Sequence, residues 1–112
     1  MDCPQKRPAK RKSYIYFLFA PISRRMKIGF SRTFATRLKK IQSTSPESLE
    51  VLRVIEGNGV LEKMLHRLFA GEHEHGEWFH ATEDMIEFVQ SLEENKHYSD
   101  VFSLLEKFRK KI

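Results

Sequence analysis

The chain holds one cysteine, Cys3, among its 112 residues. A lone cysteine excludes an intrachain disulfide framework and a cysteine-rich zinc site, and it fits a reducing compartment. No apolar run approaches the roughly 20 residues needed to span a bilayer. The amino terminus is basic, but no apolar signal core follows it before the first strand-like run. Repeats and low-complexity tracts are absent beyond the amino-terminal tail. Acidic residues are the minority, 15 against 20 Lys and Arg, for a formal net charge of +5. Such a balance suits a polyanionic partner, although charge speaks to partners and solubility rather than fold. The expectation is a soluble intracellular protein, cytoplasmic or, in a eukaryotic host, nuclear.

What is present is enough for one small domain. Hydrophobic residues make up 40% of the chain, with nine phenylalanines, which supplies a modest core. Residues 1–12 carry Lys6, Arg7, Lys10, Arg11 and Lys12 against Asp2, with no apolar periodicity. They read as a flexible basic arm: a DNA-tracking tail, a nuclear address or a solvated tail. Residues 13–19 are aromatic and β-branched, and residues 25–30 form a second such run across a short turn, so the pair predicts an antiparallel hairpin. Both faces of the first run are apolar, as in a strand covered on both sides. Gly29 permits a close backbone approach or a bend.

Helical spacing follows in Phe34, Leu38 and Ile41, with Ser31 or Thr33 as the expected cap and Pro46 as the stop. Residues 48–56 alternate as a third strand, with Leu49, Val51, Arg53 and Ile55 on one face. Gly57-Asn58-Gly59 reads as a turn. Val60 to Ala70 reads as a helix with Leu61, Leu65, Leu68 and Phe69 inward. GEHEHGEW reads as a charged loop, in which alternating His and Glu converge poorly on a metal. Thr82 caps a helix carrying Met85, Ile86, Val89 and Leu92, and an amphipathic helix is expected near 98–110. The predicted plan is α+β: a small three-stranded antiparallel sheet flanked by helices. Its divisions are a basic arm over 1–12, a domain over 13–94 and a carboxy-terminal helix within 95–112.

The ordered set Tyr14-Ile15-Tyr16, Lys27-Ile28-Gly29, Arg37, Glu62 and Gly76-Glu77-Trp78-Phe79 resembles the GIY-YIG nuclease superfamily. Within it, the chain resembles the compact branch with a KIG motif and a GEWF segment, the T5orf172 and meiotically up-regulated gene 113-like domains. Tyr14 stands where the family has glycine, and Lys27 where many relatives have a second tyrosine. The resemblance implies that Tyr16, assisted by Lys27, takes a proton from the attacking water. A nearby ammonium and guanidinium favour the phenolate. The resemblance assigns Arg37 to the scissile phosphate and Glu62 to a metal ion, for which one carboxylate plus waters suits Mg²⁺, with Mn²⁺ as substitute. His66, one turn after Glu62, bonds the phosphate, protonates a leaving group or braces Glu62. Trp78 and Phe79 read as core, with base stacking as the other reading of Trp78.

Arg24, Arg25, Lys39 and Lys40, with Lys10, Arg11 and Lys12 of the arm, are candidate phosphate contacts. The expected partner is DNA, single- or double-stranded, met by a monomer or weak dimer and with no membrane involved. The reading that results is a Mg²⁺-dependent DNA endonuclease. The alternatives are a binding module of the same fold without useful catalysis and a protein-interaction domain with a basic surface.

Overall fold

The computed structural model describes residues 12–94 and 96–98. Their order is β1 (Tyr14–Ala20), β2 (Arg25–Ser31), α1 (Phe34–Thr44), β3 (Glu50–Glu56), α2 (Gly59–Leu68), β4 (His73–His75), β5 (Trp78–His80) and α3 (Glu83–Gln90), with a 3-10 turn over Ala70–Glu72 before β4. The fold is α+β. The strands form one antiparallel sheet in the order β3-β1-β2-β5-β4, two strands larger than the three expected. The carboxy-terminal helix expected near 98–110 and most of the basic arm lie outside the described residues.

The two extra strands come from the segment expected to be a charged loop. Gly76, at φ 56°, opens a two-residue turn with Glu77 between the paired residues His75 and Trp78. Glycine at the first central position is what such a hairpin requires. β5 then pairs with residues 25–27 of β2, and the Ile28 N–H donates to the Glu77 carbonyl at 3.0 Å. Every residue of β4 is exposed, so no alternating apolar pattern announces it.

β1 and β2 pair in full register, Tyr16 opposite Gly29 and Leu18 opposite Lys27. Their turn places Arg24 at φ 60°, which is uncommon for a residue with a Cβ. Arg24 is fixed by its N–H to Ala20 carbonyl bond of 2.8 Å, by its carbonyl accepting from Ala81, and by a 2.9 Å ion pair with Glu83.

One sheet face packs on α2 and α3. Ile15, Phe17, Ile28, Ile55, Leu61, Leu65, Phe79 and Phe88 are all within 3% of full burial there. Fully burying each such side chain contributes about 1.5–3 kcal/mol. The Asn58 side chain caps α2 by accepting from Leu61 N–H, and Thr82 caps α3 by accepting from Met85 N–H. α2 ends at Leu68, two residues short of the expected Ala70, and the 3-10 turn takes over.

On β3 the expected alternation breaks. A bulge sets Arg53 opposite Phe17 but Val51 opposite Leu18, which turns Val51 outward, 41% exposed, while Leu52 packs against the core. Arg53 donates to the Leu92 and Gln90 carbonyls at 2.9 Å each and so ties β3 to the end of α3.

The opposite face carries Tyr16, Leu18, Ala20, Lys27 and Gly29, with α1 across it. Phe34 meets the Tyr16 ring at a centroid distance of 5.2 Å. Neither expected cap bonds α1 through its side chain; the Ser31 hydroxyl instead accepts from Thr33 N–H at 2.9 Å. Among the described residues no helix is long and apolar enough to cross a membrane.

Candidate active site

Tyr16 is the centre of the site because its strand partner has no side chain. A Cβ at Gly29 would overlap the Tyr16 ring and hydroxyl. The ring and its hydroxyl therefore sit over Gly29 of β2, 1% exposed. β5 covers β2 only as far as residue 27, so the edge beyond it is open to α2. There the His66 Nε2 lies 2.9 Å from the Ile28 carbonyl. A carbonyl only accepts, so Nε2 carries the proton. His66 thus fastens α2 to the strand edge, with its ring edge-on to Phe79. One turn earlier, Glu62 turns toward the same edge, 3.7 Å from the His66 Nε2.

Glu77, in the β4–β5 turn, completes the cluster. Its carboxyl lies within hydrogen-bonding reach of Glu62. Its Oε1 is 3.2 Å from the Lys27 Nζ, which also stands 5.4 Å above the Trp78 ring. Burial first, and the Glu77 charge next, push the Glu62 carboxyl above the usual carboxylate range, against the pull of His66 and Lys27.

The phenol departs from expectation. Burial, Glu77 and Glu62 push Tyr16 up to about 12, and only Arg37 among the principal influences pulls it down. The expected phenolate is therefore a neutral phenol. Lys27 lies diagonally from Tyr16, opposite Leu18, and its charge acts on the carboxyl pair. Arg37 is exposed on the side of α1 that carries Phe34 and Ile41, acts on the Tyr16 phenol, and is in no ion pair among the described residues.

The structure thus brings Tyr16, Lys27, Arg37, Glu62 and His66 around one point from four elements. The sequence reading missed Glu77. Its signal was the Gly-Glu hairpin turn, which places residue 77 against the β2 edge. Trp78, expected in the core, is only partly buried and faces the Tyr16 side, whereas Phe79 is fully buried.

Of the candidate phosphate contacts, Arg24 is paired with Glu83 and Arg25 with Glu74 at 2.7 Å. Lys39, Lys40 and Lys12 are exposed and carry no ion pair among the described residues. Lys10 and Arg11 lie outside the described residues.

No cluster of three His, Cys, Asp or Glu side chains is placed to hold a metal among the described residues. The alternating His and Glu of β4 do not converge; His73 instead meets the Gly76 carbonyl at 2.9 Å. Glu62 and Glu77 do offer opposed oxygen donors, and burial leaves the Glu62 charge poorly solvated. That donor set fits a hard cation which keeps most of its water.

Fold and site together define a small α+β domain whose β1–β2 hairpin presents a tyrosine to a carboxylate pair and an exposed arginine. The chain belongs to the T5orf172 domain family, a GIY-YIG-related family whose model matches residues 13–93. No curated protein and no solved structure gives a significant match.

Proposed function

We propose that the protein is a metal-dependent endonuclease that hydrolyses DNA phosphodiester bonds. One observation carries the reading: Arg37 from α1, Glu62 from α2 and Glu77 from the β4–β5 turn all act on the ionisation of one β-hairpin phenol. Family membership points the same way.

In this reading Arg37, exposed and with no carboxylate partner among the described residues, receives the scissile phosphate through its planar fork. It stabilises the charge that builds on the phosphoryl oxygens. Glu62 and Glu77 would hold a hydrated Mg²⁺ ion, which when bound would supply charge neutralisation at the phosphate and leaving oxygen. Lys27 orients Glu77. His66 keeps Glu62 at the strand edge. The neutral Tyr16 hydroxyl positions the attacking water through its oxygen. Burial would still hold the phenol up, but a cation that neutralised the two carboxylates would remove the other two causes and make Tyr16 easier to deprotonate.

Nicking of supercoiled plasmid tests this, with Mg²⁺, with Mn²⁺ and with chelator. Nicking is expected with either metal, and is expected to be lost with chelator and in Glu62→Ala. Equal nicking by Glu62→Ala at saturating Mg²⁺ overturns the assignment. The neutral resting phenol is the observation that favours the second reading, a binding module of the same fold. DNA binding without nicking under every metal supports that reading.

A further inference from the structure

A cleft of about 300 Å³ opens beside the polar cluster on the Tyr16 face. Arg25 and Lys27 of β2, Ile41 and Pro46 at and after α1, and His75 and Trp78 of the β4–β5 hairpin line it. Lys27 belongs to both the cleft and the carboxylate cluster. Along β2, Lys27 is two residues from Gly29, the residue beneath Tyr16, a step of about 7 Å in an antiparallel strand. The cleft is therefore adjacent to the proposed phosphate position.

Its lining is selective. Trp78 lines it together with aliphatic Ile41 and Pro46, surfaces suited to a flat aromatic group. Both lining cations already have carboxylates, Arg25 with Glu74 and Lys27 with Glu77, so the cleft is poorly suited to an isolated anion. Glu47 lines the same cleft. The Ser23 hydroxyl, then the Ile22 and Ser23 N–H groups, hold its carboxyl below the usual range. It is thus an ionised acceptor for an amino-bearing base edge. The volume sits at the small end of ligand sites. It suits one base and excludes a duplex.

We infer that this cleft is a subsite for one unpaired nucleobase next to the scissile phosphate, stacked on Trp78. The inference rests on the nuclease reading and sharpens it: the preferred substrates carry an unpaired nucleotide at the cut, as in single strands, flaps and mismatches. A base must leave its stack to enter such a pocket, and the cost is least where it is already unpaired.

Trp78 is the only tryptophan in the chain, so its fluorescence reports on the cleft directly. The full chain carrying Glu62→Gln is titrated with a short single-stranded oligonucleotide and with versions bearing one abasic site at each position in turn. Single-stranded DNA is expected to quench Trp78. One abasic position is expected to abolish the quench and weaken binding about 5- to 150-fold, the range of one base–aromatic stack. Trp78→Leu is expected to lose the same preference, and its circular dichroism shows whether it has folded. Binding without quenching, and with a flat abasic scan, overturns the subsite even if the wild type cuts DNA. Quenching with a single sensitive position, in a wild type that cuts nothing, upholds the subsite and overturns the nuclease reading. Absence of DNA binding overturns both.

Discussion

At the residue scale, the site sets two carboxyls against each other beneath a buried phenol, and this has a cost in stability. Burial and Glu77 raise the Glu62 carboxyl in the folded protein. The sign follows from proton linkage. The stabilisation from holding that proton is fully present below the unfolded pKa and is lost as pH rises through the raised folded value. Glu62→Gln cannot ionise, so it should melt higher than wild type near pH 8, and the gap should close as pH falls below the usual carboxylate range. Thermal melts across pH measure this, and a Gln variant that melts lower at pH 8 refutes the raised carboxyl. The same variant should not cut DNA. Arg37→Ala is the converse case. Its side chain is exposed and unpaired among the described residues, so its melting temperature should hold while nicking falls about 10²- to 10³-fold, as when one charge-stabilising donor is removed. Arg37→Lys should recover only part, because an ammonium lacks the bidentate fork. A lysine variant as fast as wild type would remove the phosphate role. Tyr16, Lys27, Arg37, Glu62 and His66 were legible because their order and spacing match a family pattern. What they do to each other was not, since ionisation depends on burial and on Glu77, which only the fold brings near.

At the element scale, the hairpin works because Gly29 lets a buried aromatic ring lie across a strand. Gly29→Ala should force Tyr16 aside. Overpacking of this kind costs about 1–3 kcal/mol, so both the melting temperature and nicking should fall. Adding Tyr16→Leu should recover much of the melting temperature without recovering nicking, because the Cβ and the ring compete for one space. Two single-variant losses that simply add would show that the close approach does not matter. β2 and the three described helices were readable because their apolar residues repeat at the period of their structure, β1 because it is aromatic and β-branched throughout, and Thr82 marked the start of α3, whereas Asn58, read as part of a turn, caps α2. β4 and β5 were not. Three residues each are too short to show a period, and a wholly exposed β4 has no apolar face to show. The β3 bulge was hidden for a related reason: one extra residue shifts the phase of an alternation without changing its composition.

At the scale of the whole molecule, the proposed function raises the question of which of the 20 basic residues would meet DNA phosphates. The structure sorts the described ones by what already neutralises them. Arg24 and Arg25 are held by Glu83 and Glu74, so their charges are largely balanced within the protein. Arg32, Lys39 and Lys40 are exposed without ion pairs among the described residues and flank Arg37 on or beside α1. Two further blocks lie at the ends of the sequence, Lys107, Arg109, Lys110 and Lys111 at one and, at the other, the amino-terminal arm, whose sequence offers no apolar face to a core. Removing residues 1–11 deletes Lys6, Arg7, Lys10 and Arg11 together with Asp2. If the arm lies along duplex DNA, the slope of log affinity against log salt should flatten by about 0.9 for each phosphate the arm no longer neutralises. Lys39→Ala with Lys40→Ala should flatten it further, because the two sets of charges lie on different parts of the chain. Neither change touches Tyr16, Arg37, Glu62 or Glu77, so nicking at saturating DNA should persist. Affinity measured from low to moderate salt for the three proteins separates the contributions. A slope unmoved by the deletion but flattened by the lysine pair would assign the phosphate contacts to α1 and leave the arm without a role in binding.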